Sequence, residues 1–132
     1  IHGIAVLYDC HSIRSQAPYL FDGTLPDFNI GTNIGATCAP DIEHAVTEAC
    51  KQAQEYSVIV NGRFRGGWTT REYGQPSTGV HAIQMELAQS TYLANETVPF
   101  EYDDAKARLI RIHLSVVLKS LESAAYQLRG TL

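Results

Sequence analysis

The chain has 132 residues, of which 45% are hydrophobic and 18% charged, and this length and composition suit one globular domain. Ten Lys and Arg against fourteen Asp and Glu give a net charge of −4, which excludes a general attraction to nucleic acid or to an anionic membrane. No apolar run approaches the ~20 residues of a membrane span, and three irregularly spaced cysteines (Cys10, Cys38 and Cys50) favour reduced thiols in a cytoplasmic protein.

A buried strand is predicted close to the start of the chain. Residues 3–10 (GIAVLYDC) are almost continuously apolar, as is typical of a parallel strand with both faces covered. Residues 11–40 lose this pattern, and an irregular stretch of that length suggests a segment that serves a site. A helix is predicted from Pro40 to about residue 55, because apolar residues recur at helical spacing and Asp41 and Glu43 suit its positive N-terminal end.

Two more strands and a long helix complete the predicted architecture. Strands are expected at 56–60 (YSVIV) and 80–87, with a polar, glycine-rich loop (NGRFRGGWTTREYGQP) between them, and the last helix at about 104–127. The residues expected on the buried face of this helix are Leu109, Ile112, Val116, Leu121 and Ala124, with Arg108, Arg111 and Lys119 outside. This order predicts an α/β sheet with layered helices, in which polar motifs after the strands gather at one edge.

Two residues at strand ends are candidates for metal and proton chemistry. His11, in Asp9-Cys10-His11-Ser12, could ligate a metal while Asp9 or a backbone carbonyl fixes its tautomer; the alternative is a histidine that is only hydrogen-bonded. Glu86 lies in an apolar stretch, where desolvation would raise its pKa toward the range of a general base; the alternative is a glutamate that faces water or pairs with an arginine. His81 is ambiguous in the same way and is expected to support the site at most. Cys10 and His11, as strand neighbours, point to opposite faces and are poorly placed as a nucleophile and base.

The loop after the second predicted strand is a candidate anion site. It places Arg63, Arg65 and Arg71 among three glycines, in a chain that is acidic overall. Glycines let a backbone approach a ligand closely, and a guanidinium can bind a carboxylate through two parallel hydrogen bonds. The sequence therefore favours a small carboxylate ligand, and the alternative is a solvated loop whose arginines pair with surface acids.

Together these motifs resemble one family of enzymes. LYDCHSIRS, FDGTLPDFNIGTN and VIVNGRFRGGWTTREYGQPSTGVHAIQMELAQSTYL, in this order, are similar to the C-terminal half of N-formylglutamate amidohydrolases, from Gly3 to about Leu93. The resemblance implies a three-layer α/β/α fold with a mostly parallel sheet, like that of zinc carboxypeptidases. Residues 1–132 would be a single, C-terminal portion of such a catalytic domain, because family members are longer and the chain opens at Ile1 without an initiator Met.

The resemblance also implies an activity and the residues that carry it. The activity is zinc-dependent hydrolysis of N-formyl-L-glutamate to formate and L-glutamate, a step of histidine degradation. His11 would be a zinc ligand, Glu86 the carboxylate that activates water, and Asn61, Arg63, Arg65 and Arg71 the substrate-binding residues. A catalytic zinc has about three protein ligands, and the others are expected in the upstream half of the family's proteins.

Two alternatives remain open from the sequence. One is a non-catalytic carboxylate-binding fragment that keeps the arginines but lacks a complete metal site. The other is a related zinc carboxypeptidase or aspartoacylase-type deacylase, which differs in its substrate. In each case the expected partner is a small molecule, with no nucleic acid and no membrane.

Overall fold

A four-stranded sheet covered by helices organises the protein. The computed structural model describes residues 3–130, so that residues 1–2 and 131–132 of the predicted domain lie outside the described residues. The strands are β1 (Ala5–Ile13), β2 (Phe28–Gly31), β3 (Val58–Val60) and β4 (Val80–Ala88), and the helices are α1 (Pro40–Lys51), α2 (Trp68–Tyr73) and α3 (Asp104–Arg129). Short 3₁₀ turns at Pro76–Thr78 and Gln89–Thr91 flank β4.

The sheet is mixed, and its order is β1-β4-β2-β3. β1 runs parallel to β4 and β2 parallel to β3, whereas β2 and β4 are antiparallel. The predicted α/β class is therefore confirmed, and two of the three strand pairings are parallel. On one face α1 and α3 enclose the hydrophobic core with β2 and β4. On the other face the described residues place only the six-residue α2 and loops, so a full third helical layer is not formed by them.

β1 and β2 differ from what the sequence predicted. β1 is longer than the predicted strand, and it is partly exposed, not covered on both faces. Its exposure follows from its position, because within residues 3–130 only β4 pairs with it and it forms an edge of the sheet. β2 was missed inside the stretch predicted to be irregular, although all four of its residues are buried. Four residues are too few for a periodic signal, and β2 is defined by its non-local pairing with β4 and β3.

The predicted helices are confirmed in position, with shifts at their ends. α1 ends at Lys51, before the predicted residue 55, and α3 continues to Arg129. The start of α3 is fixed by Asp103, whose carboxylate accepts hydrogen bonds from the backbone N–H of Ala105 at 2.9 Å and of Lys106 at 3.0 Å. α2 was not predicted at all, because a six-residue helix after two glycines is too short to show a helical period.

The predicted buried face of α3 was wrong in part. Leu121 and Ala124 are buried as predicted, but Leu109 and Ile112 are 55% and 60% exposed, and Val116 is also exposed. The residues that actually enter the core beside Leu121 and Ala124 are Ala107, Ile110 and Val117. The helix is apolar on two sides, so periodicity alone could not decide which side packs against α1.

Two further findings concern the helices and the cysteines. No helix within residues 3–130 is long and apolar enough to cross a membrane. Cys10, Cys38 and Cys50 are all free thiols, the first exposed and the other two buried.

Candidate active site

Strand alternation puts the candidate catalytic residues on one face of the sheet. In the parallel register of β1 and β4, Asp9 lies beside Gln84 and His11 beside Glu86. Successive side chains of a strand point to opposite faces, so these four share the face that α2 covers, while their neighbours face α3. Cys10 is on the α3 side, away from the His11 ring, as the alternation predicted.

A cavity of about 650 Å³ opens over this face of the sheet. It is lined by His11 and Glu86 from the strands, by Gln84, and by the loop of residues 62–67 together with Arg71. The structure therefore brings together five of the six residues proposed from the sequence: His11, Arg63, Arg65, Arg71 and Glu86. A volume of this size suits a small-molecule ligand.

Glu86 is a buried acid at the floor of the cavity. Its side chain is only 6% exposed, so it does not face bulk water. Burial raises the pKa of the Glu86 carboxyl, nearby Asp9 raises it further, and His11 and a hydrogen bond from Gln84 partly oppose the rise. A carboxyl whose pKa is raised accepts a proton more readily near neutral pH, which is the property required of a general base.

His11 is held by Asp9, which is itself held by α2. The Nε2 of His11 lies 2.9 Å from Asp9 Oδ1, and the hydroxyl of Thr70 donates to Asp9 Oδ2 at 3.0 Å. With Nε2 on the carboxylate, Nδ1 is the ring nitrogen left for another partner. A metal-ligating histidine commonly donates its other nitrogen to a carboxylate in this way.

The described residues supply only part of a metal-ligand set. Within residues 3–130 there is no cluster of three or more His, Cys, Asp or Glu side chains able to hold a metal ion. His11 fits one imidazole ligand, and Zn²⁺ in a catalytic site takes about three protein ligands. The described residues by themselves therefore do not complete the zinc site that the family resemblance implies.

Within residues 3–130, the three arginines of the cavity have backbone partners and no acid partner. The Nε of Arg63 donates to the carbonyl of Leu20 at 3.1 Å, and Arg65 and Arg71 donate to loop carbonyls at 3.3 Å. None of the three forms a salt bridge with a carboxylate in the described part of the chain. This observation disfavours arginines neutralised by surface acids and leaves three positive charges at the cavity for an anionic ligand.

Glycines allow the arginine loop to pack tightly against the sheet. A Cβ on Gly31 would lie 2.5 Å from the backbone nitrogen of Gly66, a distance that only a glycine permits. Gly66 itself has φ of +108°, a conformation that other residues rarely adopt. The loop backbone therefore sits directly over the end of β2, with its arginines turned to the cavity.

Asn61 does not line the cavity. Its Oδ1 accepts hydrogen bonds from the backbone N–H of Thr32 at 2.9 Å and of Ile34 at 3.2 Å. Its Nδ2 donates to the Thr32 hydroxyl at 2.8 Å and to Glu43 at 3.2 Å. The side chain fixes the loop after β2, and its role in substrate binding stays a prediction.

His81 lies at the opposite end of β4 from Glu86. Its Nδ1 accepts a hydrogen bond from the backbone N–H of Ala39 at 3.0 Å, next to the start of α1. Burial lowers the pKa of the His81 imidazole, which agrees with a neutral acceptor. His81 thus supports the fold and does not touch the cavity.

Sequence reasoning missed two polar residues that organise the site. Gln84 and Thr70 are buried, and they contact Glu86 and Asp9 respectively. Gln84 could have been found, because it lies two residues before Glu86 and so must share its face of the strand. Thr70 gave no signal, because α2 was not predicted.

The chain has clear relatives among known proteins. Residues 1–93 match the family model described as N-formylglutamate amidohydrolase. N-formylglutamate deformylases of Pseudomonas aeruginosa and Pseudomonas putida are 51% and 50% identical to it over 119 residues, or 90% of this chain and 44% of each relative. A crystal structure of N-formylglutamate amidohydrolase from Ralstonia eutropha JMP134 superposes with a TM-score of 0.72 at 24% identity, covering 97% of this chain and 45% of that one. The chain thus spans less than half the length of these proteins.

Proposed function

Because the chain belongs to the N-formylglutamate amidohydrolase family, we propose that it carries the acid–base and carboxylate-binding part of a site that hydrolyses N-formyl-L-glutamate to formate and L-glutamate. The observation that carries this proposal is the cavity lined by the buried Glu86 and by three arginines that pair with no acid among the described residues. N-formyl-L-glutamate has two carboxylates, and guanidinium groups are suited to bind them.

The residues of this chain account for the proton transfers of the reaction. Glu86 accepts a proton from the attacking water, whose oxygen forms a bond to the formyl carbon. As the C–N bond breaks, the same proton passes from Glu86 to the nitrogen of the departing glutamate. Arg63, Arg65 and Arg71 bind the carboxylates and hold the formyl group over Glu86. Water and N-formylglutamate are consumed and formate and glutamate are released, with the oxygen of water ending in formate.

Zinc is part of the proposal, with His11 as one of its ligands. A bound zinc ion would lower the pKa of its water and polarise the formyl carbonyl. The Asp9–His11 contact at 2.9 Å supports a ligand role for His11, since it orients the ring and leaves Nδ1 for the metal. The remaining ligands would have to come from residues beyond those described. The reaction would belong to histidine degradation, and a reducing compartment such as the cytoplasm suits three free thiols.

Formate release is the direct test of this proposal. It should be measured with this chain and with a chimera in which the chain replaces the matching segment of the Pseudomonas aeruginosa deformylase. We expect the chimera to release formate from N-formyl-L-glutamate, and to lose this activity on chelation and regain it with Zn²⁺. A folded chimera that binds L-glutamate but releases no formate at any zinc concentration would show that this chain does not carry a competent hydrolase site.

Binding of L-glutamate tests the arginines separately from turnover. Arg71→Met removes one charged hydrogen-bonding group and should weaken glutamate binding about 10- to 100-fold in calorimetry, since such bonds contribute about 1.5–3 kcal/mol. The matched control is Arg129→Met at the exposed end of α3, which should bind like the unsubstituted protein. Equal affinities for the two variants would remove Arg71 from the proposed binding residues.

A second candidate function is carboxylate binding without catalysis. It would need only the arginines of the cavity and no metal, and within residues 3–130 no three-ligand metal cluster is formed. Calorimetry and formate release together distinguish the two candidates. If the chain and the chimera bind glutamate after chelation but release no formate, the result supports carboxylate binding without catalysis.

A further inference from the structure

Gln84 joins the acid of the site to the arginine loop. Its side chain is 4% exposed and lies between Glu86 on its own strand and Gly67 of the loop. The Gln84 Nε2 donates to Glu86 Oε2 at 3.2 Å, and the Gln84 Oε1 accepts from the backbone N–H of Gly67 at 2.6 Å. Both ends of one buried amide are therefore used by the site.

The connection continues from Gly67 to an arginine. The carbonyl of Gly67 accepts from Arg71 Nε at 3.3 Å and from the Arg71 backbone N–H at 3.1 Å. A continuous path of hydrogen bonds thus runs from the Glu86 carboxylate through Gln84 and Gly67 to the Arg71 guanidinium. The links from Glu86 to Gly67 join buried or structurally fixed groups, because Gln84 is inside β4 and Gly67 precedes the first residue of α2, whereas Arg71 at the end of the path is exposed.

The Gly67 contact also decides which end of the amide faces Glu86. A backbone N–H can only donate, so the Gln84 oxygen must point to Gly67 and the nitrogen to Glu86. Rotating the amide by half a turn would place two donors together on one side and two acceptors on the other. The carboxylate of Glu86 therefore meets an N–H donor, and its orientation is fixed by a residue on the substrate-binding loop.

We propose that Gln84 is a positioning residue that sets the separation between the carboxylate-binding Arg71 and the base Glu86. This inference rests on the proposed function. A displacement of about 1 Å between reacting groups can lower a rate by about 10²-fold. A buried amide that ties both groups to one strand limits such displacements.

A second tie allows the role of Gln84 to be tested in folded variants. α2 is also held to β1 by the hydrogen bond from Thr70 to Asp9 at 3.0 Å, which does not involve Gln84. Loss of the Gln84 contacts should therefore loosen the loop near Gly67 without releasing the whole helix.

Two substitutions of Gln84 separate its two contacts. Gln84→Met keeps the approximate side-chain volume and removes both hydrogen bonds. Gln84→Glu keeps an acceptor for the Gly67 N–H but presents a second carboxylate to Glu86, where the donor was. The matched control is Gln54→Met at an exposed position after α1.

The experiment combines amide hydrogen exchange at Gly67 with formate release by the chimera at pH 8. We expect Gln84→Met to speed exchange at Gly67 about 10-fold or more, because this amide loses its acceptor. We expect Gln84→Glu to keep the protection of Gly67. Both variants should lower kcat about 10- to 100-fold, whereas KM should rise in Gln84→Met alone, since only there is the arginine loop released.

Two results would overturn the inference. One is Gln84→Met with Gly67 exchange, kcat and KM equal to those of Gln54→Met. The other is faster exchange spread equally over all core amides, which would mean that Gln84 only stabilises the fold. If the unsubstituted chimera releases no formate, the proposed function fails, and the Gly67 exchange rates of the two Gln84 variants still decide whether Gln84 holds the loop.

Discussion

The two faces of β1 and β4 are built for different tasks. The face toward α2 carries Asp9, His11, Gln84 and Glu86, and each of these side chains has a hydrogen-bonding partner. The face toward α3 is mostly apolar and borders a smaller cavity of about 200 Å³, and the hydroxyl of Tyr8 is buried there without a partner among residues 3–130. Side-chain alternation along the same two strands thus places the site residues on one face and the core residues on the other. Substitutions on the first face should affect mainly turnover, and substitutions on the second should affect mainly stability.

Removal of the acid on the polar face should give the largest effect. Glu86→Gln keeps the volume of the side chain but cannot accept the proton of water, so turnover should fall about 10²- to 10⁴-fold. Formate release by the chimera measures the change, and glutamate calorimetry should show binding retained. The control is Glu122→Gln on the exposed side of α3, with activity unchanged. If the Glu86→Gln variant were as active as this control, a residue other than Glu86 would have to be the general base.

Truncation on the apolar side should damage stability and leave the chemistry intact. Leu121 is 5% exposed in the core, and Leu121→Ala should lower the free energy of unfolding by about 2–5 kcal/mol, through lost contacts and a cavity. Leu109 is 55% exposed on the same helix, and Leu109→Ala should change the free energy of unfolding by less than about 0.5 kcal/mol. Urea unfolding measures both. Equal losses would mean that Leu109 is covered in solution, contrary to the described structure.

The strand alternation explains how much of the site could be predicted. His11 and Glu86 stand out as polar residues within or after apolar runs, and the arginines stand out as charges among glycines. The sequence alone was therefore enough to propose them as residues of one site. Glu86 was predicted to be desolvated with a raised pKa, and burial does raise it. Asn61 has the same local pattern as the arginines, yet its side chain is directed to the loop after β2, which no local signal indicates.

The remaining errors concern features that depend on distant parts of the chain. β2 is recognisable only through its pairing with β4, and α2 only through its contacts with β1 and β4. The buried side of α3 is chosen by α1, because both sides of the helix carry apolar residues. Periodicity describes one element at a time, so it located α3 but could not decide which side packs, and it missed β2 and α2, which are too short to show a period.

The buried hydroxyl on the apolar face offers a test with a smaller effect. Tyr8→Phe removes an oxygen that has no hydrogen-bond partner in the described residues, and should raise the free energy of unfolding by about 1 kcal/mol. Burial also raises the pKa of the Tyr8 phenol, so its ionised form does not contribute. The control is Tyr19→Phe at an exposed site, with a change below about 0.5 kcal/mol. Destabilisation by Tyr8→Phe would reveal a partner for the hydroxyl.

The smallest effect is a pH dependence that arises at the other end of β4. Burial lowers the pKa of His81 below its ordinary 6.5, so below that pH the unfolded chain binds a proton more readily than the folded one. The contribution of His81 to stability is therefore complete above pH 6.5 and is lost as the pH falls toward the lowered pKa. His81→Asn keeps an acceptor for Ala39 and removes the titration, so unfolding free energies between pH 7.5 and 5.5 should decline less steeply than in the unsubstituted protein. His44→Asn, at an exposed position of α1, is the matched control. Equal slopes in His81→Asn and His44→Asn would mean that His81 can be protonated without disturbing the fold, and that its contact with Ala39 is dispensable.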